Sequence, residues 1–281
     1  MVKILDGKKL AEEIRVALKL EILELGEKKG IAPGLAVILV GDSVASQIYV
    51  RNKERACESL GIFSEVHRLA ENIEEEKILA LIAELNEKNE IHGILIQLPL
   101  PSHIDSQKII SAIDPKKDVD CFHPENVGRM FLGDPRFFPC TPLGIVEILK
   151  RYEIKISGKK VVIVGRSNIV GKPLAMMMLR ENATVTMAHS KTENLKEETL
   201  RANILIVAAG RAGLITADMI KQGAVVIDVG INRGENGELA GDVDFEKVCK
   251  IASAITPVPG GVGPMTIAML MKNTTAAAKN I

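Results

Sequence analysis

Apolar residues in the first half of the chain alternate between two periods. The stretch GKKLAEEIRVALKLEILELGEKKG repeats them at helical spacing, and LAVILVG follows as a short unbroken apolar run of the buried-strand kind. The rhythm continues: residues 43–60 predict a helix, IFSEVHRL a strand, NIEEEKILALIAELNEKN a helix, and HGILIQLPL a strand closed by its prolines. Strands joined through helices predict parallel pairing. Pro99 to Pro142 reads as loop-rich, with the charged run DPKKDVD, before TPLGIVEILKRYEI resumes as a helix. A second series starts at Gly158: KKVVIVG, a helix from Lys172 to Asn182, ATVTMAH, NILIVAAG and AVVIDVG. The last stretch, GPMTIAMLMKNTTAAAKNI, is helical, and its apolar face predicts a return to the first domain.

The expected fold is therefore α/β with two α/β domains, the second a Rossmann-like doubly wound parallel sheet carrying a crevice at its strand ends. Residues 1–140, completed by a C-terminal helix at 265–281, form one domain, and 141–264 the other.

Charge and cysteine content narrow the partners. Lysine plus arginine equals aspartate plus glutamate at 36 each, so no global field favours nucleic acid or an anionic membrane, and neither partner is expected. The four cysteines show no C-x-x-C pair, which argues against a zinc ribbon or a disulfide framework. No metal is expected, and a reducing cytoplasm fits. The N-terminus lacks a signal-peptide apolar region, and no apolar run approaches the roughly 18 residues of a membrane span.

Candidate chemistry begins at VIVGRSNIVG, residues 162–171, where a buried strand, a tight turn and a helix start follow one another. Gly165 and Gly171 match a dinucleotide fingerprint whose middle glycine is Ser167. An ordinary strand-turn-helix connection would look the same. The next strand ends in His189, Ser190 and Lys191, without the carboxylate that holds ribose hydroxyls in NAD-binding folds. With Arg166 in the loop, that pattern favours NADP through its 2′-phosphate.

In the first half, Tyr49 and Lys53 stand at i, i+4 on one helix face, with Ser46 a turn earlier. The buried stripe is expected through Ala45, Ile48, Ala56 and Leu60, leaving Tyr49 and Lys53 on its flank as a packing ring and a solvated charge. Gln97 ends an apolar strand, where it can meet a ligand or cap the following turn. Asp118 and Asp120 can bind a ring amine or pair with Lys116 and Lys117. The loop TPVPGGVGPMT is rigid and bare, suited to a flat ligand or to a sharp turn.

Together SQIYVRNK, GILIQLPLP, KKDVDCFHPENVG, PCTPLGI, GRSNIVGKP, AHSKT, IDVGIN and PVPGGVGPMT, in this order, closely resemble the bifunctional methylenetetrahydrofolate dehydrogenase/methenyltetrahydrofolate cyclohydrolase family, FolD in bacteria. The resemblance covers nearly the whole chain. It implies NADP-dependent oxidation of methylenetetrahydrofolate followed by hydrolysis of the methenyl product, at an active-site cleft between the domains, in a homodimer formed through the cofactor domains. It makes Lys53 the catalytic amine, Gln97 its partner, Tyr49 the ring stacking on the aminobenzoate, and Asp120 the carboxylate gripping the pterin. These four form the implied catalytic set and, with Leu98, Pro259, Gly260 and Gly261, the implied contacts to tetrahydrofolate derivatives. The implied cofactor contacts are Gly165, Arg166, Ser167, Val170, Gly171, Ser190 and Ile231.

One position departs from the family pattern: Cys121 stands where glycine usually follows the pterin-binding aspartate, so a positive φ there would strain the chain beside Asp120. Residue patterns alone leave room for a dehydrogenase of the shikimate type, or for a nucleotide-sensing module without catalysis. The joint presence of Tyr49, Lys53, Gln97 and Asp120 argues against both.

Overall fold

A computed structural model describes residues 2–233 and 238–280. Met1 and Ile281, the outermost residues of the expected domain ranges, lie outside the described residues. Packing divides the chain into two units: residues 13–140 with 267–281, and residues 1–12 with 141–266.

The elements follow in chain order as β1 (Lys3–Ile4), α1 (Gly7–Lys29), β2 (Gly34–Val40), α2 (Val44–Leu60), β3 (Phe63–Leu69), α3 (Glu75–Glu87) and β4 (Gly93–Ile96). Strands β3, β2 and β4 form a parallel sheet in that order, with Ile38 of β2 opposite both His67 and Ile96. Every residue of β2 is buried, as its unbroken apolar run requires of a central parallel strand. Ile78, Ile82 and Leu85, at helical spacing on α3, close over it with Ala36, Ile38, Ile94 and Ile109.

The passage from 99 to 142, expected as loops, contains α4 (Ser106–Ser111) and α5 (Pro124–Leu132). Both are too short to show periodicity, and their signals lie in the caps. Asp105 accepts from the amides of Gln107 and Lys108. His123 accepts from the Glu125 amide, Pro124 occupies the first turn, and Gly133 ends α5 at φ 91°.

In the other unit α6 (Cys140–Arg151) leads to β5 (Lys160–Val164), α7 (Gly171–Arg180), β6 (Thr184–Ala188), α8 (Leu195–Leu200), β7 (Ile204–Val207) and β8 (Val225–Asp228). A short antiparallel pair, β9 (Asn232–Arg233) and β10 (Leu239–Ala240), precedes α9 (Phe245–Val248), β11 (Ala254–Ile255) and α10 (Val262–Lys279). The six-stranded sheet runs β1-β11-β8-β7-β5-β6, parallel throughout. Because β1 pairs with β11, the first twelve residues group with this sheet. Strand order reverses at β5, flanked by β6 and β7, and such a switch point is where open α/β sheets bind ligands. Among the described residues no helix is long and apolar enough to cross a membrane.

Candidate active site

In the unit holding residues 13–140, Lys53 is not on the flank of α2. The buried face runs through Ser46, Val50, Lys53, Ala56, Cys57 and Leu60, so Ala56 and Leu60 of the expected stripe are buried, whereas Ala45 and Ile48 in the first half of the helix are exposed. Apolar spacing misleads here because the helix buries an amine among its core positions. Lys53 is 8% exposed, and its Nζ donates to Gln97 Oε1 at 3.0 Å.

Gln97 sits where β4 ends, its backbone amide still bonded to Ile38 O at 2.9 Å. Its Nε2 donates to Leu98 O at 2.8 Å. A carbonyl can only accept, so this contact fixes the amide with Oε1 toward Lys53. Burial pulls the Lys53 amine below the usual lysine range, and the carboxylate of Asp120 opposes that shift. Asp120 itself is half-buried, pushed up by burial and pulled down by Lys53 and by a hydrogen bond from the Cys140 thiol. Tyr49 stands half-buried one turn before Lys53.

The loop carrying Asp120 is shaped by groups outside the expected set. Asp118 accepts from the amides of Phe122 and His123 and from Asn126 Nδ2, at 3.1, 2.8 and 2.8 Å. The alternative of pairing with Lys117 is not realised. Lys117 Nζ instead donates to the carbonyls of Leu85, Asn86 and Lys88, at the C-terminal end of α3. Asn273, on α10, donates to Val119 O at 2.8 Å and Phe138 O at 2.9 Å, tying together the chain just before Asp120 and just before Cys140. Cys121 has φ 61° and is fully buried, its thiol donating to Phe137 O at 3.2 Å. The left-handed conformation foreseen from the sequence is therefore present, at a cost of about 1–2 kcal/mol for a non-glycine residue.

In the other unit the turn after β5 has no room for side chains at either of its two glycines. A Cβ on Gly165 would lie 2.2 Å from Ala208 O, and one on Gly171 would lie 2.2 Å from Gly165 O. Ser167 fits between them because its side chain turns inward: Oγ accepts from the amides of Val170 and Gly171 at 3.1 and 3.4 Å. The hydroxyl thus caps the start of α7 and keeps its own proton to donate. Val170 is half-buried, and Arg166 is exposed. Val164 and Ala188 are partners across β5 and β6, and Gly165 N bonds Ala188 O at 2.8 Å. Arg166 and Ser190 therefore each stand two residues beyond paired positions on strands about 4.8 Å apart. Lys191 follows, and no carboxylate ends β6. This set fits a 2′-phosphorylated dinucleotide: bare backbone at a helix start for the diphosphate, cations at the neighbouring strand end for the extra phosphate.

Pro259, Gly260 and Gly261 belong to this unit as well. Gly260 O accepts from Lys8 N at 2.8 Å, and a Cβ on Gly261 would lie 2.5 Å from Pro257 O. Ile231 is 44% exposed beyond the end of β8.

Comparison with known proteins agrees across the chain. Residues 5–120 match the family model for the tetrahydrofolate dehydrogenase/cyclohydrolase catalytic domain, and residues 139–281 that for its NAD(P)-binding domain. The bifunctional protein FolD of Nautilia profundicola is 59% identical over 277 residues, covering 99% of this chain and 97% of that one. The crystal structure of the bifunctional FolD methylenetetrahydrofolate dehydrogenase/cyclohydrolase of Campylobacter jejuni superposes with a TM-score of 0.97 at 54% identity, covering 100% of this chain and 99% of that one. The Trypanosoma brucei dehydrogenase-cyclohydrolase, complexed with NADP cofactor and inhibitor, gives 0.96 at 39% identity, with 99% and 98% covered.

Proposed function

Because the chain belongs to the tetrahydrofolate dehydrogenase/cyclohydrolase family, we propose which of its residues perform each of the family's two steps. It oxidises methylenetetrahydrofolate to the methenyl form with NADP and hydrolyses that product to formyltetrahydrofolate, in one-carbon metabolism. NADP, when bound, accepts the hydride.

For oxidation the chain's task is alignment, since the nitrogens flanking the methylene stabilise the developing cation and no protein base is needed. The segment 141–264 is the cofactor domain in this reading. Gly165, Ser167, Val170 and Gly171 receive the diphosphate at the start of α7, while Arg166 and Ser190 take the 2′-phosphate. Ile231, Pro259, Gly260 and Gly261 offer an apolar or bare surface to flat rings.

Hydrolysis needs a base, and Lys53 is the residue we assign. Its Nζ takes a proton from water as the oxygen bonds to the methenyl carbon; one C–N bond then breaks, its electrons pass to the departing nitrogen, which takes up the proton held by Lys53, and the new hydroxyl releases its own proton to solvent as it becomes the formyl carbonyl. An amine acts this way only when neutral. Burial lowers the Lys53 pKa, and Gln97 supplies an acceptor without the negative charge that would restore the ammonium. The substrate's own positive charge works in the same direction. Asp120 accepts N–H bonds from the aminopyrimidine edge of the pterin, Tyr49 stacks on the aminobenzoate, and Leu98 lines the same segment. The hydrogen bond from buried Lys53 to Gln97 is the observation that carries this assignment. Residues 13–140 with 267–281, rather than the whole of 1–140 with 265–281, are accordingly the folate domain, since the first twelve residues pack with the cofactor sheet. A homodimer through the cofactor domains, implied by family resemblance, and a cytoplasmic location, in keeping with four free cysteines, complete the reading.

Following NADPH and the methenyl product together, with methylenetetrahydrofolate and NADP⁺ or NAD⁺, tests it. Rapid NADPH formation with little methenyl accumulation is expected. Accumulation would overturn Lys53 as an effective base, and preference for NAD⁺ would overturn the 2′-phosphate site. Sedimentation velocity checks the dimer.

A further inference from the structure

Two carboxylates, Asp228 at the last position of β8 and Asp242 against the loop after β7, have no part in the mechanism above. Asp242 is fully buried and accepts four hydrogen bonds. Its Oδ2 takes the amides of Ala209 and Gly210 at 2.6 and 2.9 Å, and its Oδ1 takes the Arg211 amide at 2.8 Å and Asn232 Nδ2 at 2.9 Å. Three successive N–H groups converging on one point make an anion-binding concavity of the kind that elsewhere holds phosphate. Here the chain fills it with its own side chain.

Asp228, 3% exposed, fixes that side chain's backbone. It accepts from the amides of Gly230 and Asp242 through Oδ1, both at 2.9 Å, and from Val243 through Oδ2 at 3.0 Å, while its own amide donates to Thr256 Oγ1 at 2.8 Å. Neighbouring glycines make the room. A Cβ on Gly230 would lie 2.3 Å from Asp242 Oδ1, and one on Gly241 would lie 1.8 Å from Asp228 Oδ2.

The network therefore ties three loops at the C-terminal edge of the sheet: 208–211, 229–232 and the one opened by Thr256. Between Gly230 and Asn232, both anchored, stands Ile231 with an exposed apolar side chain. An apolar group held out rigidly at the ligand-binding edge of an α/β sheet is arranged to meet a ring.

We propose that Asp242 is a positioning residue for the dehydrogenase step, a tethered anion that occupies the amide concavity after β7 and thereby sets Ile231 and its loop against the nicotinamide. This rests on the functional reading above, and the bifunctional enzyme supplies its own control. Hydrolysis uses Lys53 and Gln97 and transfers no hydride, so damage confined to the cofactor loops spares it.

The test is Asp242→Asn, whose amide nitrogen cannot accept and leaves at least one N–H unsatisfied. KM for NADP should rise about tenfold or more, with cyclohydrolase activity within about twofold of wild type. Asn232→Ala, which removes one of the four bonds and keeps the carboxylate, should raise KM by a smaller factor of about three. It also serves if Asp242→Asn does not fold by circular dichroism. Unchanged NADP kinetics in the folded variants would overturn the proposal. So would a parallel fall of both activities, which marks a general folding role. Wild-type protein unable to reduce NADP would instead overturn the underlying functional reading.

Discussion

The two units bring their chemistry to the surface by opposite means. Around Lys53 the work is assigned to side chains, and their properties come from burial and partners: an amine lowered by desolvation, an amide locked by Leu98 O, a carboxylate raised by burial against the pull of Lys53. Around Gly165 the work is assigned to backbone, and what matters is the missing atom: a Cβ at Gly165 or Gly171 would fall 2.2 Å from a carbonyl oxygen. The first kind of site tolerates backbone change and fails when charge or polarity changes. At the turn after β5 the second fails when volume is added.

The sharpest way to break this contrast is Lys53→Met, which keeps length and apolar bulk but removes the base. Cyclohydrolase activity should fall about a hundred- to ten-thousand-fold while NADP affinity stays unchanged, as equilibrium titration would reveal. Gly165→Ala is the mirror experiment: the added methyl meets Ala208 O, and φ 132° is strained for alanine. KM for NADP should rise about ten- to a hundredfold with cyclohydrolase turnover retained. Loss of both activities in either variant would dissolve the distinction between the units.

Gln97→Glu sharpens it further. With Lys53 as the proposed base, hydrolysis requires the neutral amine, so its rate should climb with pH and level off above the lysine's pKa, which burial sets below the ordinary 10.5. A carboxylate at 97 favours the ammonium and moves that rise by about one unit toward alkaline pH. At neutral pH the rate should drop about tenfold, recovering as pH increases; a profile that does not move would remove Lys53 from the role. The smallest effect is expected at Cys121→Gly. Relief of the left-handed strain and loss of a buried thiol with its bond to Phe137 O nearly offset, leaving stability within about 1 kcal/mol by denaturant titration and pterin affinity within about twofold.

These differences also explain what the sequence discloses. Backbone sites are written in glycine, and Gly165, Gly171 and Gly260 stand out because few other roles require that residue. The parallel sheets were legible for a similar reason, since unbroken runs such as LAVILVG suit little except a buried strand. Burial of a polar residue leaves no such trace. Lys53 on an amphipathic helix resembles a solvated lysine, and only the family resemblance points to it; of the stripe expected through Ala45, Ile48, Ala56 and Leu60, the last two are buried and the first two are exposed. Asn126 and Asn273 carry no such signal, and Asp118, which the sequence marks as a partner for a ring amine or a lysine, instead gathers the amides of Phe122 and His123 and the side chain of Asn126. The helices α4 and α5 were missed because short helices are announced by caps such as Asp105 and His123, and histidine is a weak signal at that position.

Asn273 also bears on the order in which the molecule can become complete. Its contact with Val119 O spans 154 residues, and everything between includes the cofactor sheet. A ribosome that has finished Asp120 has still to make that sheet before the strap exists. The loop carrying Asp120 therefore gains its tie late during synthesis, and a gene fragment ending near residue 140 would encode Lys53, Gln97 and Asp120 without the strap that holds that loop.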